Sequence, residues 1–110
     1  MKIYRELVEK NRDAFLADLA LALATRANCL EALDRVDEAI ADNREAIEAL
    51  RPTFLRVPQA VIQWMVPMGQ QYLQRCEKHG VEPDGELLAP IAEVLQAIQR
   101  DETDEKKVGG

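Results

Sequence analysis

Between Asp13 and Leu33 apolar residues recur at intervals of three and four, with Phe15, Leu19, Leu23, Ala27, Leu30 and Leu33 forming one stripe. Only a helical period gathers such side chains on one face. Ala at 14, 17, 20, 22, 24 and 32 adds the residue of highest helix propensity, and Asn11 or Asp13 is placed to cap the start. Asp34 and Arg35 interrupt the stripe. A second helix follows, with Val36, Ile40, Ile47 and Leu50 inward and Asp37, Glu38, Asp42, Glu45 and Glu48 outward. Its acidic first turn suits the helix dipole, and Pro52 ends it or nearly so. The short link folds the two helices back as an antiparallel hairpin. Ala27, Ala39 and Ala46 mark where the backbones approach, and Leu at any of them overpacks the contact by about 1 to 3 kcal/mol.

From Val57 to Gln74 there is no charged residue. The stretch predicts a helix that begins near Pro58, is kinked or interrupted at Pro67, and ends at His79-Gly80. Gln59, Gln63, Gln70, Gln71 and Gln74 with the two prolines make it too polar and broken for a membrane span. A last helix covers Glu86 to Arg100 on the stripe Leu87, Leu88, Ile91, Leu95 and Ile98, with Pro90 in its first turn or kinking it. The run 101–110 has no apolar period. The expectation is one all-α domain over residues 1–100, about five helices in an antiparallel hairpin stack, and a disordered charged tail.

Composition removes several functions. The net charge is −6, from 14 basic and 20 acidic residues, and the basic residues are scattered singly, so nucleic acid is not an expected partner. Cys29, Cys76 and the lone His79 stand in no metal-ligand spacing. Each cysteine lies in an apolar helical stretch and reads as a small buried hydrophobe in a reducing compartment. Met1 to Glu6 has no apolar run behind its basic residues, so a cytoplasmic protein is expected. There is no Ser, no glycine-rich phosphate loop, and no apolar pocket around the carboxylates. An enzyme or a cofactor is therefore not expected.

The segment Leu23 to Ile47 resembles one tetratricopeptide repeat, with Ala27, Leu30, Ala39 and Ala46 at that pattern's spacings and Val36-Asp37-Glu38-Ala39-Ile40 like the start of its second helix. Leu23 stands for the pattern's early aromatic, Arg26 for its first-helix Leu, Asp34 for its turn Gly and Asn43 for its second-helix aromatic. Tyr4 to Leu16 is weakly similar to Ile47 to Leu55. That suggests a degenerate repeat, with Ile3 to Lys10 as the second helix of a preceding unit, so that the chain is the tail of a longer array or a truncated one and its first helix exposes a face for self-association.

The resemblance implies a concave groove for a partner's peptide or helix. By position it receives Leu21, Ala24, Asn28 and Glu31 from the matched repeat and Ala60, Gln63 and Gln71 from the degenerate one. Asn28 would hydrogen-bond an extended peptide or, on the plainer reading, stay solvated. The lysines that accompany such an Asn in a carboxylate clamp are absent, Ala24 taking the place of one. Trp64, beside Met65 and Met68, is core or an anchor for a partner or second subunit. The acids from Glu31 to Glu48, seven against two arginines, form a solvated outer face or a site for a basic partner. The function expected is non-enzymatic protein–protein interaction. The alternative is a structural or oligomerisation bundle, a homodimer through residues 57–74.

Overall fold

A computed structural model describes the backbone of residues 2–109 and the side chains of residues 11–100. It contains four α-helices and no strand among the described residues: α1 Lys2–Ala32, α2 Val36–Arg56, α3 Pro58–Lys78 and α4 Gly85–Gly109. The chain is all-helical, with four elements where the sequence suggests about five. The expected separate helix from Ile3 to Lys10 is the beginning of α1. No Gly or Pro falls between positions 2 and 32 to break it. Asp13 is not a cap; it lies within α1, where its carboxylate accepts hydrogen bonds from Thr53 Oγ1 (2.9 Å) and Arg56 of α2. The charged end expected to fray, 101–110, lies outside the residues whose side chains are described.

Helix α2 is the centre of the molecule. α1 runs back along it as the expected hairpin, α3 packs on it and touches α1, and α4 is held chiefly by α2, with little close backbone contact to α3 or α1. Ala27, Ala39 and Ala46 are fully buried, and the core also takes in Ile47, Leu50, Phe54, Met65, Tyr72 and Cys76. The molecule is a slab of 46 × 44 × 22 Å.

Two helix ends share one device. Asp34 has φ 64° and Gly80 φ 69°. In each case the next amide donates back across the left-handed residue, Arg35 N to Leu30 O and Val81 N to Cys76 O, both 2.8 Å. Gly80 terminates α3 as its sequence predicts. Asp34 performs the same turn with a side chain in a region that favours glycine.

Three expectations fail. Phe15, Leu19 and Leu33 are exposed while Leu23, Ala27 and Leu30 are buried, because four-residue steps advance about 40° around a helix and the stripe winds off the face that α2 covers. Asp42 points inward rather than outward, 4% exposed beneath Arg26. Pro52 and Pro67 lie inside continuous helices. Beyond Pro52, Thr53 and Phe54 are buried, and their packing carries α2 past a residue that cannot donate to the preceding turn.

Candidate functional site

Two faces of α3 present candidate surfaces, one polar and one apolar. The polar one lies where α3 meets α1. Tyr72, Arg75 and Cys76 continue the stripe that seats α3 on the hairpin, so Arg75 is carried into the interior and is 7% exposed. Its Nε donates to Glu31 Oε2 (3.0 Å), its Nη2 to Asn28 Oδ1 (2.9 Å) and its Nη1 to Asn43 Oδ1. His79 Nε2 lies 3.2 Å from the same Glu31 oxygen. Hydrogen bonds from Arg75 and then His79 hold the Glu31 carboxyl below its ordinary range. Two buried atoms have no partner among the described residues, Asn43 Nδ2 and Gln71 Oε1. A shallow hollow of about 220 Å³ opens beside them, lined by Glu31, Gln71, Gln74, Arg75 and Lys78.

Of the residues singled out from the sequence, this seam brings together Asn28, Glu31 and Gln71. Asn28 is exposed, but its oxygen is taken by Arg75 and not free for a peptide. Leu21 is exposed on α1 and Ala24 half-buried against the core. Ala60 and Gln63 are exposed on α3, Gln63 about 12 Å along the helix from Gln71. Trp64 is half-buried and packs against the main core. Arg75 and Asn43 escape the sequence reading, although Arg75 continues the spacing Val61, Met65, Met68, Tyr72 and that periodicity marks it as inward.

The apolar surface is the groove between α3 and α4. Asp84 starts α4: its Oδ1 accepts from Leu87 N (3.2 Å), its own N–H donates to the Tyr72 hydroxyl (2.9 Å), and Arg44 of α2 pairs with its carboxylate at 3.2 Å. These ties fix the head of α4 to α3 and α2. Beyond them α3 and α4 leave a groove of about 440 Å³, walled by Ile62, Val66 and Leu73 on one side and Leu88, Leu95 and Ile98 on the other. Gly69 and Gln70 also line it, and a Cβ at Gly69 would meet nothing within 4 Å.

No protein-family model, curated protein or solved structure matches this chain.

Burial pushes the Tyr72 hydroxyl and the Cys76 thiol up, away from reactive ionised forms. No group of three or more His, Cys, Asp or Glu among the described residues is arranged to hold a metal, and no helix of the described chain is long and apolar enough to cross a membrane.

Proposed function

We propose that this chain is a non-enzymatic protein–protein interaction module of helical-repeat type, and that its α3/α4 groove receives the apolar face of a partner's helix. The observation that carries this reading is the groove itself, about 440 Å³ of space between two helices, walled by aliphatic side chains. Its α3 wall belongs to the uncharged run Val57 to Gln74, so an occupant gains by bringing apolar surface and gains nothing from charge. A slot between two helix flanks is the shape that a third helix fills by ridge-and-groove packing.

The tetratricopeptide-like spacing of α1 and α2 supports a repeat architecture, since Ala27, Ala39 and Ala46 stand fully buried at its close-contact positions. It supports the implied concave site less. Asn28 and Glu31 already serve Arg75 and would have to release it to bind a peptide. The two unpaired cysteines fit a reducing, cytoplasmic setting.

The test is a photo-reactive residue at Gln70, on the groove, in the intact chain in cells. A discrete adduct is expected at a helix-forming segment with apolar residues at i and i+4. Gly69→Leu, which fills the groove from its open floor, abolishes that adduct, whereas Glu45→Lys on the outer face of α2 leaves it. Absence of an adduct, or one indifferent to Gly69→Leu, overturns the reading.

A further inference from the structure

Helix α4 is seated on the molecule differently from the other three. α1, α2 and α3 share a continuous apolar core and the Arg75 cluster that ties them together, and α2 alone buries nine of its side chains. Among the described side chains of α4, Leu87 and Ile91 are the buried ones, and Val94, Leu95 and Ile98 farther along are half-buried. Its close backbone contact is chiefly with α2. An element with few buried apolar side chains and low contact density opens at lower cost than the body it rests on.

The head of α4 is held by one residue acting in three directions. The Asp84 N–H donates to the Tyr72 hydroxyl of α3 (2.9 Å), one carboxylate oxygen accepts from Leu87 N (3.2 Å), and the other pairs with Arg44 of α2 (3.2 Å). Backbone, helix cap and ion pair thus meet at a single position. Before it, residues 81–84 form a link with no helical structure, entered through the left-handed Gly80 and containing Pro83, so the helix of α3 does not continue into α4.

We propose that α4 is a detachable arm, latched at Asp84 and released as a unit about the link 81–84 while α1, α2 and α3 remain folded. Release removes Leu87 and Ile91 from the main core but leaves the Arg75 cluster intact, since none of its members belongs to α4. The device goes beyond the docking reading and does not depend on an occupant. It does gate the groove. Leu88, Leu95 and Ile98 are the α4 wall, so the slot exists while the arm is docked, and an occupant that touches both walls holds the latch shut by linkage.

Native-state hydrogen exchange on the full chain tests this. The amides of residues 91–95 are expected to exchange through one shared opening with one urea dependence, and to be protected at least about tenfold less than the amide of Ile47 in the core of α2. Two kinds of variant then separate arm from body. Thr53→Ala loses the bond to Asp13 of α1, a contact that survives release of the arm, so it speeds exchange at Ile47 about fivefold and leaves 91–95 unchanged. Asp84→Ala loses contacts that release also breaks, and speeds both sets about fivefold. Tyr72→Phe, which keeps the ring and removes the hydroxyl, moves both in the same direction, and circular dichroism checks that each variant is folded. The arm is overturned by amides at 91–95 that exchange as slowly as Ile47, that respond to Thr53→Ala, that ignore both latch variants, or that are graded inward from Arg100 as simple fraying requires.

Discussion

The guanidinium of Arg75 on α3 donates to the side-chain oxygen of Asn43 on α2, and both residues are buried, Asn43 to 1% exposure. Through its other nitrogens the same group reaches Asn28 and Glu31 on α1. One cation thus ties three helices in register at the point where an all-apolar contact would let them slide. A buried charge is stabilising only when its donors are met, and here Nε and both terminal nitrogens are.

Removing that cation leaves the amide of Asn43 unpaired at both ends, since its nitrogen already has no partner among the described residues. Arg75→Ala is expected to cost about 2 to 4 kcal/mol in urea unfolding. Arg75→Lys recovers less than half of this, because an ammonium is a point donor and cannot reach three acceptors held in a planar fan. A loss under about 1 kcal/mol for Arg75→Ala shows that the cluster does not hold the helices together.

The helices and their hairpin are legible in the sequence because their causes are local: spacing, alanine content, and turn residues at 34 and 80. What depends on distant residues is not. Pro52 reads as an end or nearly one and Pro67 as a kink or interruption, yet both lie inside continuous helices, and Thr53 and Phe54 carry α2 onward through contacts made outside their own turn. The spacing of Arg75 marks it as inward, but its partners are not legible, because the acceptors at 28, 31 and 43 lie more than thirty residues before it. The groove has no periodic signature, since it comes from α4 being anchored at Asp84 and held by α2 while standing off α3. The uncharged run from Val57 points to contact, and the structure divides it between a face that seats α3 on the hairpin and a face that lines the groove.

Acidity should unfold the protein through Asp42 and Glu31. Paired hydrogen bonds from Arg26, at 2.6 and 2.7 Å, hold the Asp42 carboxyl below its ordinary range against the opposing cost of burial, and Glu31 is lowered by Arg75 and His79. A carboxyl whose folded pKa lies below its unfolded value stabilises fully above the unfolded value, near pH 4, and loses that contribution as the pH falls toward the folded one. Urea midpoints are expected to hold from pH 7 to 5 and to fall below. Asp42→Asn costs about 1 to 2 kcal/mol at neutral pH, and its gap from wild type narrows in acid. A gap that stays constant down to about pH 3 removes Asp42 from the account.

Asp34 is the one described non-glycine residue with positive φ, at 64°, and it occupies the turn position after α1. Both backbone bonds that close the turn are present, Asp34 N to Glu31 O at 2.9 Å and Arg35 N to Leu30 O at 2.8 Å, so the geometry is fixed by hydrogen bonds that do not involve its side chain. The side chain is exposed and carries one of the seven acids between positions 31 and 48. Glycine enters the left-handed region without the Cβ clash, worth roughly 1 kcal/mol, and its greater freedom in the unfolded chain returns only part of that. Asp34→Gly is therefore expected to stabilise the fold by about 0.5 kcal/mol and to raise the melting midpoint by a few degrees. Asp34→Val, β-branched and strained at this φ, lowers it by more than glycine raises it. If glycine fails to raise the midpoint, the left-handed turn is not a strained point of the hairpin.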